Sequence, residues 1–333
     1  MTQEIITNTL NALQSNENEV IVKQFSFWNT KENEFLIFFK PEIFINWNPT
    51  LIEKSVNLVF DKLAQNDIDV SWAILFKWDR LRELEIMDRH YGFINYISKN
   101  ASKLPQEDLN KIYATLEITD IDNYKVYGWH EFLASHHDFT EESLDTLWLT
   151  KKSAKVRSGF YVQKYELNWN NIILVNAFHP VQLKHYTDSS HKTLVVLCNS
   201  NQNWAELKDK VAGDTFPEKA VRESIRWEFY ANKEQYWLDD VSISFNCVHM
   251  SAGPFEALFE INNFLKQAKS ANYDISKTNL YSRLSKAGIS NDSIINTLTN
   301  PKVEINGKLT SLFDATENNW TTVSVDIFRG NYL

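Results

Sequence analysis

The chain has 333 residues, of which 43% are hydrophobic, so it can bury a sizeable core and is not disordered throughout. Its 43 acidic and 34 basic residues give a net charge of -9, and we therefore expect no general affinity for nucleic acid or for an anionic membrane surface. The two cysteines, Cys198 and Cys247, both fall in strand-like runs, and a disulfide framework is not expected.

The N-terminal residues carry no sign of a secretory leader. They lack an apolar core flanked by basic residues, and no run in the chain approaches membrane-spanning length. We therefore expect a cytoplasmic protein.

The first quarter of the chain alternates between helix and strand patterns. Residues 3–14 predict an amphipathic helix, and "EVIVKQFSFW" predicts a strand. The run "EFLIFFKPE" at 34–42 predicts a buried strand, and residues 50–65 carry apolar side chains at helical spacing. A second strand, "IDVSWAILFKW", and a helix over "RLRELEIMDRHY" follow. This part of the chain therefore has a β-α-β-α order.

Residues 92–176 are less regular and resemble an insertion between two ordered regions. They hold helical patterns, a basic stretch "TKKSAKVRSGFYVQKY" and a probable hairpin in "NWNNIILVNAF". Beyond them, "KTLVVLCNS" predicts a strand, "NWAELKDKVA" a helix, and residues 241–248 another strand before a helix that begins near Pro254. Without the insertion, the order is β-α-β-β-α-β, which predicts an α+β fold. Residues 267–333 add one or two predicted helices and a hairpin.

His249 stands at the end of the predicted strand 241–248, just before a helix. Glu260 lies about two turns into that helix, where its carboxylate could approach the ring. A lone histidine of this kind is more often a hydrogen-bonded structural residue than a catalytic one. The rest of the chain must decide between the two roles.

Five short motifs, in order along the chain, resemble those of the nucleoside diphosphate kinase family. The matching segments are "FLIFFKPE", "MDRHYGF", "GDTFPEKAVRESIRWEF", "NCVHMS" and the helix that follows it. The residues in register with the motifs of the family are Lys40, Glu42, Tyr91, Thr215, Pro217, Arg226, Asn246, His249, Ser251 and Glu260. The resemblance covers residues 34–95 and 177–266, which is about half of the chain.

The resemblance implies a ferredoxin-like βαββαβ core, with an antiparallel sheet and helices on its faces. The core would span residues 34–266 and be interrupted by an inserted α/β segment at 92–176. Residues 1–33 would form an N-terminal extension and residues 267–333 a C-terminal extension. The resemblance also implies a homo-oligomer.

The resemblance further implies a ping-pong phosphoryl transfer between nucleoside triphosphates and diphosphates. His249 would carry the phosphoryl group, and Glu260 would support its ring. Lys40 and Arg226 would balance phosphate charge, Thr215 would add a hydroxyl donor, and the nucleotide would bring in Mg²⁺. The chemistry is sound in itself, because an imidazole attacks phosphorus only when it is neutral and its second nitrogen is held by a partner.

Three further residues take roles from the same resemblance. Tyr91 would form a hydrogen bond near the histidine, Asn246 would contact the sugar, and Phe178 would pack on the base. Stacking on one aromatic ring tolerates every base, so no base preference is predicted.

The chain departs from the pattern of the family at two places. Met250 and Ala252 replace a glycine and an acidic residue after the histidine, and neither of the two arginines expected on the inner phosphates is present. We hypothesise that the insertion folds over the nucleotide and that Lys155 and Arg157, from its basic stretch, replace them. The alternative is a basic strand or loop exposed to solvent.

Two other functions remain open at this point. The same cleft could belong to a nucleotide-binding regulatory or sensing module, or to a nucleoside triphosphate hydrolase in which water accepts the phosphoryl group. The pattern "SHHDF" does not have metal-ligand spacing, and no glycine-rich phosphate loop is present. We therefore predict no protein-held metal site.

Overall fold

The computed structural model describes residues 2–25, 31–46, 48–157, 159–268, 273–305 and 307–332. The chain divides into two compact units: the first unit is Met1–Leu84 with Asp188–Leu333, and the second unit is Glu85–Thr187. The predicted insertion, 92–176, lies within the second unit. No helix in the described ranges is both long enough and apolar enough to cross a membrane.

The N-terminal part of the first unit alternates between helices and strands. Its elements are α1 (Thr2–Gln14), β1 (Glu19–Lys23), β2 (Asn33–Phe39), α2 (Glu42–Ile45), α3 (Pro49–Gln65), β3 (Asp69–Lys77) and α4 (Trp78–Glu83).

The second unit begins with helices and then forms a sheet. Its elements are α5 (Ile86–His90), α6 (Gly92–Asn100), α7 (Gln106–Thr115), β4 (Tyr124–Gly128), α8 (Trp129–Ser135), α9 (Glu141–Leu149), β5 (Ala154–Arg157), β6 (Phe160–Leu167), β7 (Asn170–Val175) and α10 (His179–Thr187).

The first unit then resumes and continues to the C-terminal region. Its remaining elements are β8 (Lys192–Ser200), α11 (Trp204–Glu206) with a π-helical turn Leu207–Ala212, α12 (Ile225–Ala231), β9 (Val248–Met250), α13 (Pro254–Leu265), α14 (Asn279–Lys286), α15 (Asn291–Asn296), β10 (Lys302–Ile305), β11 (Lys308–Ser311), α16 (Leu312–Thr316) and α17 (Thr321–Tyr332).

A five-stranded antiparallel sheet organises the first unit, in the order β1-β3-β8-β2-β9. Strand β2 is a continuous apolar run from Phe35 to Phe39, and each of these side chains is buried. Such a run is typical of a strand that is covered on both faces. Phe38 packs against Phe264 of α13, whereas its neighbour Phe39 packs against Phe60 of α3. Since successive side chains point to opposite faces, α13 and α3 cover opposite faces of the sheet.

The C-terminal region packs onto the outer side of α13. Phe255 and Leu258 of α13 form one buried cluster with apolar residues of α14, α15, β10, α16 and α17. Phe255 and Phe328 lie with their ring centroids 5.3 Å apart. Helix α13 therefore has apolar partners on two sides, which explains why so few of its side chains are exposed.

The second unit has its own mixed sheet, in the order β4-β7-β6-β5. Strands β4 and β7 are parallel, and the other pairs are antiparallel. Two buried clusters hold this unit together, one around Phe160 and Ile173 and one around Phe132 and Trp148. With mainly antiparallel sheets and packed helices in both units, the predicted α+β class is confirmed.

Two predicted elements differ from those observed. The strand expected over 241–248 is wrong for most of its length, since only Val248–Met250 pairs with β2. Residues before it form turns instead, and Cys247 has a left-handed backbone with φ of 68°. The helix expected over 80–91 is broken at Glu85, which also has a positive φ, of 49°.

Candidate active site

His249 lies on β9, the strand at one edge of the five-stranded sheet. It stands directly opposite Phe38 of β2, and the two rings stack with centroids 4.3 Å apart and planes 17° apart. About a fifth of the His249 side chain is exposed, at 20%. The ring is therefore held against the sheet while it still reaches solvent.

Glu260 binds the ring of His249 from α13. Its Oε1 lies 2.7 Å from His249 Nε2, and its Oε2 accepts a hydrogen bond of 2.5 Å from Ser251 Oγ. The carboxylate is completely buried. Ser251 is itself fixed, because its Oγ accepts a 3.0 Å bond from the Leu36 amide of the neighbouring strand. Strand, turn and helix thus hold the carboxylate in one position.

This contact sets the tautomer of the neutral imidazole. An ionised carboxylate can only accept hydrogen bonds, so the neutral ring must carry its proton on Nε2. The lone pair is then on Nδ1. The geometry therefore selects the tautomer of the neutral ring that a nitrogen nucleophile requires.

A second carboxyl group, Glu256, lies one turn before Glu260 on α13. Its Oε2 accepts a 3.1 Å hydrogen bond from the Ala252 amide. Burial raises the pKa of Glu256, and the neighbouring charge of Glu260 raises it further. Because two close carboxyl groups resist ionising together, the proton resides on Glu256, and Glu260 is the charged partner of the histidine.

Lys40 follows β2, and its ammonium group is buried, with only 5% of the residue exposed. Its Nζ donates to the Ser244 carbonyl at 3.0 Å. Burial lowers the pKa of Lys40 to about 8, while Glu42 opposes this change and Arg226 adds to it. At neutral pH Lys40 still carries most of its positive charge, and it lies close enough to Arg226 for the two charges to interact.

Arg226 projects from α12 beneath the strand that carries His249. Its Nε and Nη2 donate to the Val248 carbonyl at 3.3 and 3.0 Å, and its Nη1 donates to the Gly213 carbonyl at 2.7 Å. Gly213 has φ of +90°, and an added Cβ would lie 2.5 Å from Ser224 Oγ. Arg226 therefore ties the glycine turn to the residue before the histidine.

Asn246 is buried in the turn before β9. Its Nδ2 donates to the carbonyls of Thr215 and Ile243, each at 3.2 Å. Its Oδ1 is buried and has no hydrogen-bond partner among the described residues. A buried acceptor without a donor is costly, so Asn246 Oδ1 is an unsatisfied polar atom in this turn. Thr215 itself is exposed.

The segment 243–251 thus joins six of the predicted site residues in the first unit. The six residues that contact this segment or belong to it are Lys40, Thr215, Arg226, Asn246, His249 and Glu260. These contacts bring the cationic side chains, the Asn246 acceptor and the imidazole together at this segment.

The other four predicted residues belong to the second unit. Tyr91 packs edge-on against His179, with centroids 5.1 Å apart, and Phe178 packs against Trp148 at 5.9 Å. Lys155 is exposed on β5.

Arg157, the remaining residue of the four, has partners within its own unit. It forms a 3.4 Å ion pair with Asp108 and lies 5.0 Å from the centre of the Phe93 ring. Its guanidinium group therefore contributes to the packing of the second unit.

The C-terminal region contacts the turn after His249, which the sequence did not reveal. The Asn318 amide donates to the Ala252 carbonyl at 3.2 Å. A Cβ added to Gly253 would lie 2.9 Å from the Thr316 carbonyl oxygen. Lys208 and Glu317 form an ion pair of 2.5 Å nearby. No motif marks these residues, whereas Glu256 could have been found from its one-turn spacing to Glu260.

No protein-family model matches the chain, and no curated protein sequence matches it with significance. Its function must be inferred from the site.

Proposed function

We propose that the protein is a nucleoside diphosphate kinase-like phosphotransferase that works through phosphorylated His249. The observation that carries this proposal is the hydrogen-bonded series from His249 through Glu260 to Ser251, with Lys40 and Arg226 beside it. The buried carboxylate fixes the tautomer in which Nδ1 carries the lone pair.

The topology of the first unit supports a ferredoxin-like core. Strands β2, β3, β8 and β9, with α3 after β2 and α12 before β9, follow one another in the βαββαβ order. They pair as β3-β8-β2-β9, and β1 extends the sheet at the edge formed by β3. In this proposal the second unit is inserted between the second and third core strands.

The first half-reaction would transfer the terminal phosphoryl group to the ring. The Nδ1 lone pair of His249 attacks the terminal phosphorus of a nucleoside triphosphate, and the bond to the bridging oxygen breaks. The nucleoside diphosphate leaves with that electron pair. The ring then becomes positively charged. The proton stays on Nε2 and keeps its hydrogen bond to Glu260, whose negative charge stabilises the cation.

The second half-reaction would reverse these steps with a different acceptor. A terminal phosphate oxygen of another nucleoside diphosphate attacks phosphorus, and the nitrogen–phosphorus bond breaks. Its electron pair returns to Nδ1. No proton has to leave the ring in either half-reaction, so the Glu260 contact can persist throughout.

The positive groups would act mainly on charge and position. Phosphoryl transfer depends on alignment and on cancelling the charge of the phosphate oxygens. Lys40 would supply a positive charge, and Arg226 would add another while holding the strand of His249. Asn246 Oδ1 would accept a hydrogen bond from a sugar hydroxyl. Thr215, an exposed residue whose carbonyl binds Asn246, would donate its hydroxyl to a phosphate oxygen.

Mg²⁺ would be part of the substrate. The carboxylates described at this site already accept hydrogen bonds, since Glu260 binds His249 and Ser251, and Glu42 binds the Cys247 amide at 2.7 Å. Mg²⁺ prefers several oxygen ligands and often takes them from substrate phosphates. The nucleotide would therefore bring the ion with it.

Phosphoprotein labelling tests the proposal. With ATP labelled on the terminal phosphate, the wild type should form an acid-labile, base-stable phosphoprotein, and each nucleoside diphosphate should remove the label. His249→Gln should abolish labelling, whereas the exposed His137→Asn should not. Phosphorus NMR should place the phosphoryl group on Nδ1. An unlabelled wild type, or equal labelling of His249→Gln, would contradict the proposal, and release of label to water alone would indicate a hydrolase.

One observation favours the sensing module as a second candidate. The contact between Asn318 and Ala252 connects the C-terminal region to the turn after His249, so an occupied site could change how that region is held. In this case a non-hydrolysable triphosphate should bind and change the proteolysis of residues 312–332 without labelling by ATP. Unchanged proteolysis at saturating ligand would remove this candidate.

The predicted contribution of the second unit and the predicted homo-oligomer stay proposals. Alanine at Lys155 or Arg157 should weaken triphosphate binding if the insertion supplies cations to the phosphates, and unchanged binding in both variants would contradict that role. Tyr91→Phe and Phe178→Ala test the hydrogen bond and the base contact in the same assay. Light scattering on the purified protein measures the oligomeric state.

A further inference from the structure

The first unit contains a concave site that the proposed reaction does not use. It is a cavity of about 510 Å³, lined by nine residues, none of which is acidic. The residues that matter for its chemistry are Ser15, Lys77, Trp78, Ser190, His191 and Lys192. The two lysines make this cavity positive in a protein whose net charge is -9.

The cavity lies away from His249 across the sheet. It is formed where β3 ends, where β8 begins and where α1 ends. Strand β3 is separated from β9 by β8 and β2, and three strand spacings amount to about 14 Å. The two sites therefore do not share side chains.

Lys77 and Lys192 face each other across the strands that form the cavity. They are direct partners in the register of β3 and β8. Like charges directly opposite each other destabilise a sheet. Burial lowers the pKa of Lys192, and the charge of Lys77 lowers it further. The two ammonium groups are thus close enough to repel each other.

Local carbonyl groups hold the two lysines beside the cavity. Lys77 Nζ donates to the Ser15 carbonyl at 2.7 Å, and Lys192 Nζ lies 3.4 Å from the Ser190 carbonyl. An ammonium group has three donors, so Lys77 can bind the Ser15 carbonyl and still bind an anion. An anion between the two lysines would attract both of them and offset their mutual repulsion.

We propose that this cavity binds a small phosphate ester, with the phosphate between Lys77 and Lys192. His191 supplies a polar group beside the phosphate, and Trp78 provides an apolar surface for the organic part. The volume lies within the range of small-molecule sites, which is roughly 300–1,000 Å³. This binding does not depend on the chemistry proposed for His249.

A cysteine introduced at Ser190 can report on the cavity directly. Both natural cysteines are buried and Ser190 is exposed, so Ser190→Cys adds an accessible thiol. Burial also raises the pKa of Cys198 and Cys247, which keeps them as unreactive thiols. The rate of alkylation by N-ethylmaleimide should fall at least fivefold when AMP saturates the cavity. Inorganic phosphate should protect more weakly, because it lacks the group that contacts Trp78.

Charge variants complete the test. In the Ser190→Cys background, Lys192→Gln should weaken AMP protection about tenfold, whereas the exposed Lys308→Gln should leave it unchanged. We take about 10 mM AMP as the upper limit for a weak ligand of millimolar affinity. An alkylation rate that this concentration leaves unchanged would overturn the proposal. Equal protection in the Lys192 and Lys308 variants would overturn it too. Neither outcome bears on labelling of His249, so the two proposals can fail separately.

Discussion

Replacing Glu260 by glutamine changes the charge of the group that supports His249 while it keeps the shape of the side chain. The amide can still accept a hydrogen bond from Nε2 through its oxygen, but it is neutral. It therefore loses most of its ability to stabilise the positive ring that forms on phosphorylation. Hydrogen bonds to charged groups contribute about 1.5–3 kcal/mol, so the rate of labelling by ATP should fall about 10- to 150-fold.

The stability of the same variant should change in a different way. Glu260 is fully buried, and removing its charge relieves the cost of desolvating that charge. The free energy of unfolding of Glu260→Gln should therefore be unchanged or higher than that of the wild type. A lower rate combined with undiminished stability would separate a role at His249 from a role in folding.

The assay is a quench-flow measurement of phosphoprotein formation, with urea unfolding in parallel. Glu304→Gln, on the exposed face of β10, is the matched control and should leave the rate unchanged. Ser251→Ala removes the other partner of the Glu260 carboxylate and should slow labelling by a smaller factor. Equal rates for Glu260→Gln and wild type would refute the reasoning, as would a rate loss that merely follows a loss of stability.

Three further predictions follow from the site. Because Lys40 has a pKa lowered to about 8, the labelling rate should fall as pH rises past 8, and Lys40→Arg should move that fall above pH 10; identical pH profiles would contradict this. Because folding raises the pKa of Glu256 from 4.5 to about 8, the wild type should lose stability as pH rises from 5 to 8, whereas Glu256→Gln should not. The variant should therefore become more stable relative to the wild type as pH rises; a difference in unfolding free energy that does not change with pH would contradict this. Gly253→Ala should lose about 1–3 kcal/mol of unfolding free energy by collision with Thr316, whereas Gly330→Ala, with open space around it, should not; equal melting temperatures of the two variants would contradict this.

The long strands could be predicted from the sequence because their own apolar side chains favour a buried strand. Strands β2, β3 and β8 are continuous apolar runs, and a run of that kind has few other ways to bury its side chains. The segment 241–248 also alternates apolar and polar residues, yet most of it is not a strand. Its backbone is set by tertiary contacts, such as the Asn246 bond to Thr215 and the Lys40 bond to Ser244, and no local pattern records them.

The candidate site also has contacts that the local sequence predicts and contacts that it does not. The approach of Glu260 to His249 depends on a strand, a turn and a helix that are adjacent in the chain, so their spacing predicts it. The contact of Asn318 with Ala252 joins segments that are far apart in sequence and involves main-chain atoms only. Side-chain patterns carry no signal for a bond between two peptide groups.

The place of β2 in the sheet has a consequence for how the chain is made. Strand β2 pairs with β8 and β9, and both are synthesised more than 150 residues after it. At about 5–20 residues per second, the ribosome needs roughly 8–30 s to deliver the first of these partners. During that time a strand that is destined for burial on both faces has unpaired edges and exposed aromatic side chains, which favour aggregation. The strand that brings Lys40 to the site is therefore a segment for chaperones to cover during synthesis.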